Sequence, residues 1–246
     1  MYERDINITG KLNINPDWKE YWILQAWMIG RDLETVVRMF EAIGIFKAAG
    51  YREPLFRLQN LIRKQNIGIV PGYYRWCLEN EIGTDLELMG SGETVDAEYW
   101  KIAPTPKQVA RMIGIIQSTR EDFGLPKAEV LMPHVFGACP FYDKGLYFAV
   151  DGHIRACSNS TVTLSWIDRT DPIREAYESN LICNRLRLTK DTVGEPCGSC
   201  DKWDKCRGGC RATTEGLGDP LGGYPLCPVP FFSGNGNPYE NGGYNE

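Results

Sequence analysis

The chain has 246 residues, of which 43% are hydrophobic and 24% are charged, and its formal net charge at pH 7 is −5. This composition is typical of a folded globular protein and excludes both a disordered chain and a strongly basic, nucleic-acid-binding one. No apolar run approaches the roughly 18 residues that cross a bilayer, and residues 1–10 lack the basic start and apolar core of a signal peptide. We therefore expect one or two domains in the cytoplasm, with no nucleic-acid or membrane partner.

The first half of the chain predicts helices that alternate with strands. Apolar residues at helical spacing predict a first helix over residues 31–50, which Gly50 would end. The pattern continues as strand, helix, strand and helix over residues 55–62, 70–80, 82–89 and 106–123. Strands separated by helices of this length indicate right-handed crossovers and a parallel sheet, so the fold class is α/β.

The second half of the chain has a different character, because Gly, Pro and Cys become frequent and long helical periodicity ends. Asp151-Gly152 is a two-residue turn signal that predicts a hairpin. The last residues are rich in Gly and Asn and almost free of aliphatic side chains. We therefore expect one domain over residues 1–132, a second over 133–230 and a flexible tail over 231–246.

The sequence contains nine cysteines, and seven of them form a regular pattern in the second half. The pattern reads Cys139-x12-Gly152-x4-Cys157, then Cys197-x2-Cys200-x5-Cys206-x3-Cys210, then Cys227. Thiols are kept reduced in the cytoplasm, so closely spaced cysteines indicate metal binding before disulfides. Glycines within the pattern permit tight turns and let backbone N–H groups approach sulfur. The pattern predicts metal coordination by these seven thiols.

Zinc is one candidate metal, because paired Cys-x2-Cys units can bind zinc tetrahedrally. The protein would then contain a zinc-stabilised structural domain. One structural zinc needs only four of the seven thiols. Cys77 lies in a predicted helix and is interpreted as a small buried side chain, whereas Cys183 has no assigned role. His134 is either a packed residue or a nitrogen ligand to iron, and His153 is interpreted as a surface residue of the hairpin.

The cysteine pattern resembles the SPASM domain of radical S-adenosylmethionine enzymes. That group includes anaerobic sulfatase-maturating enzymes and enzymes of peptide-derived cofactor and natural-product biosynthesis. Upstream, residues 10–13, 47–51 and 60–66 resemble later strands and helices of the family's partial (β/α)6 barrel. The resemblance implies the C-terminal part of such a barrel, followed by a small loop-rich cysteine domain that holds two 4Fe-4S clusters.

The resemblance also implies how the cysteines divide. An outer cluster would be held by four cysteines, here called the outer set: Cys197, Cys200, Cys206 and Cys227. An inner cluster would be held by three, here called the inner set: Cys139, Cys157 and Cys210. Eight thiolates are needed to ligate two such clusters fully, so one inner iron lacks a patterned ligand. That iron is open to substrate, or is filled by Cys183 or His134; we favour the open site.

One motif of the family is missing from the sequence. The activating cluster of radical S-adenosylmethionine enzymes is held by a Cys-x3-Cys-x2-Cys loop, and these 246 residues contain no such motif. We therefore expect the chain to begin in mid-barrel, as a fragment, a split-gene product or a degenerate relative. S-adenosylmethionine would bind only in a complete barrel, so the resemblance leaves open whether this chain is itself an enzyme.

The resemblance also implies partners. They are a peptide or protein substrate that is modified by radical chemistry, an external electron donor, and a second chain that supplies the missing barrel half. The auxiliary clusters would serve substrate binding or electron transfer. The alternative is a non-catalytic iron–sulfur module, for electron transfer or docking, that partners a separate chain.

Three further residues are candidates for contact with the cofactor in a complete barrel: Asn13, Asn60 and Glu87. Glu87 shares a strand face with Asp85 and lies near the C-terminal end of its predicted strand, where barrel enzymes gather functional groups. The alternative interpretation is a solvated carboxylate for Glu87 and turn chemistry for the two asparagines.

Overall fold

A computed structural model describes residues 18–92, 98–128, 145–179 and 188–232, together with residues 132, 135, 137 and 139. The chain divides into two compact units. Unit 1 comprises residues 1–60 and 65–85, and unit 2 comprises residues 61–64 and 86–246. The domain boundary expected at residue 132 stays a prediction.

Unit 1 is built around three helices: α1 (Trp18–Ile29), α2 (Leu33–Ala48) and α3 (Val70–Glu79). Asp32 begins α2, because its carboxylate accepts a 2.8 Å hydrogen bond from the Thr35 backbone N–H. The ring of Phe40 on α2 packs against Trp22 on α1 and Trp76 on α3, with centroid distances of 5.3 and 5.8 Å. Aromatic packing between helices therefore forms the core of this unit.

Two parallel strands, β1 (Arg57–Ile62) and β2 (Gly83–Leu88), pair in a two-stranded sheet. The Gly83 N–H donates to the Phe56 carbonyl at 2.9 Å and the Met89 N–H to the Ile62 carbonyl at 3.2 Å. The acceptor moves from residue 56 to residue 62 as the donor moves from residue 83 to residue 89. The two strands therefore run in the same direction, and the pairing is parallel. The predicted order of strand, helix and parallel strand is confirmed, and the molecule is of the mixed α/β class. A closed or partial barrel stays a prediction.

Unit 2 contains α4 (Tyr99–Ile102) and the longest described helix, α5 (Pro106–Asp122). Thr105 and Gln108 form a capping box at the start of α5, with Pro106 at its first turn. One face of α5 is buried, including Val109, Ile113 and Ile116. The predicted helix over residues 106–123 is therefore confirmed.

The predicted hairpin is confirmed and extended. Strands β3 (Tyr147–Phe148) and β4 (His153–Arg155) pair antiparallel across Asp151 and Gly152, and Gly152 has φ +91°. A third strand that sequence patterning did not predict, β5 (Ser165–Trp166), pairs with β4. Two residues of strand are too short to produce a recognisable alternation of apolar and polar positions.

The remaining elements of unit 2 are short. They are the helices α6 (Pro172–Glu178), α7 (Trp203–Cys206) and α8 (Arg211–Gly216), and a 3-10 helix over Val229–Phe231. Turns and loops connect them. Within the described ranges, no helix has the length and apolar character needed to cross a membrane.

Candidate metal centre

All four cysteines of the outer set line one cavity of about 340 Å³. Aromatic rings of Trp203, Tyr224 and Phe232 complete much of its wall. The cavity therefore combines four thiols with a partly aromatic lining.

Local backbone conformation explains how neighbouring cysteines reach this cavity. Cys206 ends the one-turn helix α7, and Arg207 then adopts a left-handed conformation with φ +54°. Gly208 and Gly209 follow at φ +79° and +69°. Three successive left-handed residues reverse the chain, and glycine is suited to two of these positions because it has no Cβ. Cys210 follows this turn as the N-cap residue of α8.

Backbone amides donate to the sulfur atoms of the outer set. The Lys202 N–H donates to Cys200 Sγ and the Tyr224 N–H to Cys197 Sγ, both at 3.4 Å. Such N–H···S contacts stabilise a thiolate and also tune the potential of a metal centre that the thiolate ligates.

The thiols of the outer set are close enough to influence one another. Burial raises the pKa of Cys227 to about 12, and a backbone hydrogen bond from Val229 opposes the shift. Negative charge on the other three outer cysteines contributes to this rise. Burial likewise raises the pKa of Cys197 and of Cys200. Without a cation these thiols are protonated at neutral pH, and a metal that binds them would displace protons.

The inner set forms a separate group. The pKa of Cys157 is raised to about 12, chiefly by burial and in smaller part by the charges of Cys210 and Cys139, against the opposing effect of backbone hydrogen bonds from Asn159 and Ser160. Cys139 and Cys210 are themselves buried. The structure thus brings together three cysteines that lie far apart in the sequence.

Glu215 on α8 accepts hydrogen bonds from the loop that follows Cys157. Its Oε1 accepts hydrogen bonds from Thr161 N at 2.6 Å, Val162 N at 2.7 Å, Thr161 Oγ1 at 2.8 Å and Ser160 Oγ at 2.9 Å. The residue is only 7% exposed. Because α8 begins at Cys210, this buried carboxylate connects the segments that carry two of the three inner cysteines.

Tyr224 is buried within electrostatic reach of both sets. Burial raises its pKa well above the ordinary value for tyrosine, and the neighbouring charge of Cys210 raises it further. Cys206 and Cys227 of the outer set contribute in the same direction. The phenol therefore stays neutral and acts as part of the apolar packing near both groups of cysteines.

The fold resembles that of a solved structure, native anSMEcpe with bound AdoMet and Kp18Cys peptide. The TM-score is 0.50 and the sequence identity is 18%, over 75% of this chain and 54% of the other. This chain therefore spans about half the length of the protein it resembles. At this identity the likeness supports a shared fold. No protein-family model and no curated protein matches the sequence.

The contacts of Asn13, Asn60 and Glu87 with S-adenosylmethionine stay a prediction. Asn60 lies on β1 and is buried, and Glu87 lies on β2 and is half-buried. Asp85, on the same strand face as Glu87, forms an ion pair with Arg57 at 2.7 Å. Asn13, together with Cys183 and His134, lies outside the described residues.

Cys77 and His153 both lie in packed surroundings. Cys77 is fully buried in α3, and burial raises its pKa to about 12, which agrees with its interpretation as a small buried side chain. The ring of His153 packs against that of Trp166 in a tilted arrangement, with a centroid distance of 3.9 Å, and its Nδ1 is 2.7 Å from Thr163 Oγ1. His153 is therefore a packed residue of the sheet, half-buried where sequence predicted a surface position.

Two charged residues near the site were missed by sequence reasoning, Arg211 and Glu215. They stand four residues apart on α8, a spacing that ordinarily indicates a solvent-exposed ion pair. In the structure both are buried instead. The only signal in the sequence was their position directly after the Cys206 to Cys210 turn.

The described residues contain no group of three or more His, Cys, Asp or Glu side chains arranged to hold a single metal ion. The zinc-stabilised structural domain stays a prediction, which metal analysis of the purified protein tests.

Proposed function

We propose that this chain is an iron–sulfur protein in which the outer set holds one 4Fe-4S cluster and the inner set holds a second. The observation that carries the proposal is the lining of one cavity by Cys197, Cys200, Cys206 and Cys227. Four thiolates are the ligand set of such a cluster. The grouping of Cys139 and Cys210 around Cys157 supports the second site.

The chemistry of the surroundings fits this assignment. A cavity of about 340 Å³ provides much more room than a single ion fills. Backbone N–H groups reach the sulfur atoms of Cys197 and Cys200, and aromatic side chains line the cavity. These are the features by which proteins hold iron–sulfur clusters and adjust their potentials.

The wider function that we propose is that of the C-terminal part of a radical S-adenosylmethionine enzyme that modifies a peptide or protein. The likeness to a structure that contains AdoMet and a peptide supports this class. S-adenosylmethionine bound in a complete barrel would supply a 5′-deoxyadenosyl radical. The residues of this chain would contribute the auxiliary centres, which bind substrate or exchange electrons with an external donor.

A second candidate is an iron–sulfur module that has no radical chemistry of its own and docks to a separate chain. The observation that favours it is the absence of Cys-x3-Cys-x2-Cys from the sequence. Three thiolates on a cluster with one open iron are required to chelate S-adenosylmethionine, and no loop of this spacing supplies them.

Metal analysis after anaerobic purification and reconstitution tests the iron–sulfur proposal. We expect about eight irons and a similar amount of sulfide per chain, the content of two 4Fe-4S clusters, and a brown protein. Stoichiometric zinc without sulfide would contradict the proposal and support the structural zinc domain.

Incubation of the loaded protein with S-adenosylmethionine and dithionite separates the two candidate functions. We expect no 5′-deoxyadenosine from this chain alone. Production that begins when a second chain carrying the missing motif is added would support the split enzyme. Production by the pure chain would show that the radical chemistry resides within these 246 residues.

A further inference from the structure

Arg211, the first residue of α8, is among the most deeply buried side chains of the described structure. Its relative exposure is 1%. Arginine is rarely buried to this extent, because removing a guanidinium from water is costly unless negative charge or hydrogen-bond acceptors compensate. The position of this cation therefore requires an explanation.

The guanidinium lies beside Gly208, a residue that lines the outer cavity. Its Nη2 donates a 2.7 Å hydrogen bond to the Gly222 carbonyl, two residues before the amide that contacts Cys197 Sγ. On its other side, a Cβ placed on Gly208 would be 3.7 Å from the Arg211 Cζ atom. Arg211 thus bridges the two loops that deliver cysteines to the outer site.

Arg211 is only 1% exposed and contacts both of these loops, so its charge lies close to the outer set. Lys202 also lines the cavity, but its side chain is 26% exposed and pairs with Asp201 at 2.7 Å. Water and this ion pair weaken the influence of Lys202, while the charge of Arg211 is screened little.

We infer that Arg211 raises the reduction potential of a cluster held by the outer set. This inference rests on the proposed function. One-electron reduction by an external donor adds negative charge to the cluster without making or breaking a bond. A buried cation close to the cavity lining stabilises that added charge and so favours the reduced form.

A redox titration followed by electron paramagnetic resonance tests the inference in three variants of the full chain. Arg211→Gln removes the charge, Arg211→Lys keeps it, and Arg174→Gln removes a charge from a 70% exposed side chain on α6. At the wild-type midpoint we expect the ratio of reduced to oxidised outer cluster to be at least tenfold lower in Arg211→Gln, a shift of the midpoint of about 59 mV for one electron. Arg211→Lys should stay near wild type, and Arg174→Gln should be unchanged.

The outcomes separate this inference from the proposed function. Wild-type protein without iron and sulfide would overturn the proposed function itself. A fully loaded Arg211→Gln protein with an unshifted outer potential would overturn only the role of Arg211. If Arg211→Gln fails to retain the outer cluster, the Arg211→Lys variant distinguishes charge from packing. Retention of the outer cluster by Arg211→Lys, at near wild-type potential, supports the role of charge. Loss of the outer cluster in both variants means that Arg211 acts by packing alone.

Discussion

The outer and inner sets both consist of cysteines, but the two sets differ in how far apart their cysteines lie in the sequence. All outer cysteines come from one stretch, residues 197–227, whose short turns direct them to one cavity. The inner cysteines come from residues 139, 157 and 210, which tertiary packing brings together. Chain entropy opposes the closure of longer loops more strongly, so the inner site depends more on the rest of the fold.

This difference has a functional consequence for the proposed clusters. In the outer set only Cys197 is buried, and the other three thiols are half-buried. In the inner set Cys139 and Cys210 are buried. Exposure and nearby charge set the potential of an iron–sulfur cluster. Two sites of similar ligand chemistry can therefore hold electrons at different energies within one small domain.

Single replacements of Cys206 and Cys210 test the division of the cysteines into two sets, and they have the largest expected effect. These cysteines flank one turn but belong to different sets. We expect Cys206→Ala to lose about four irons, one cluster's worth, from the outer site. Cys210→Ala should lose or convert the inner cluster while the outer spectrum persists. Iron analysis and electron paramagnetic resonance measure both effects.

Cys77→Ala is the matched control for these replacements, because Cys77 lies in α3 of unit 1. Its iron content should equal that of wild type. If Cys206→Ala and Cys210→Ala lost the same spectral component, the division into two sets would be wrong.

Gly209→Ala sharpens the comparison at the turn between the sets. A Cβ on Gly209 would lie 2.5 Å from Cγ of Tyr224, and the backbone has φ +69°. Left-handed strain and overpacking together should lower the free energy of unfolding by about 3 kcal/mol. Anaerobic urea denaturation measures this loss.

Gly218→Ala is the control for conformational strain alone. Its φ is +81°, but a Cβ there would meet no atom within 4 Å. We expect a loss of about 1 kcal/mol from the backbone conformation. Equal losses in the two variants would mean that the contact with Tyr224 does not matter.

Glu215→Ala tests whether the inner site depends on distant parts of the chain. Removing the carboxylate leaves the Thr161 and Val162 N–H groups without this acceptor, at a cost of about 1–3 kcal/mol each if they stay unsatisfied. The loop after Cys157 should loosen, and the inner cluster should be lost to a chelator faster than the outer one.

Glu215→Gln keeps a carbonyl oxygen that can accept the same backbone hydrogen bonds, so it should retain the inner cluster better than Glu215→Ala. Time courses of iron release, with each cluster followed by its spectrum, give the comparison. Equal acceleration of release from both sites would show that Glu215 supports the domain as a whole.

Cys183→Ala has the smallest expected effect. We predict unchanged iron content and an unchanged paramagnetic spectrum, because the fourth iron of the inner cluster is proposed to be open to substrate. Loss of about four irons would mean that Cys183 ligates that cluster, and the open-site prediction would be wrong.

The sequence by itself determined the elements whose apolar residues follow one period. Helices α2, α3 and α5 each bury one face, and strands β1 and β2 lie within their predicted ranges. Helix α1 escaped prediction because its apolar residues are not confined to one face. Trp22 is buried while Ile23 and Trp27 are exposed, so the 3.6-residue signal cancels.

The candidate site divides in the same way. Cysteines spaced two to five residues apart, Cys197 to Cys210, were predicted as ligands from their spacing, because short loops restrict where such residues can go. Their role as ligands stays a prediction. The positions of Arg211 and Glu215 were decided only by the tertiary structure. A short polar helix with charges four residues apart predicts a solvated surface. Packing against the Gly208 and Gly222 loops on one side and residues 160–162 on another buries both charges, and no local pattern encodes such long-range contacts.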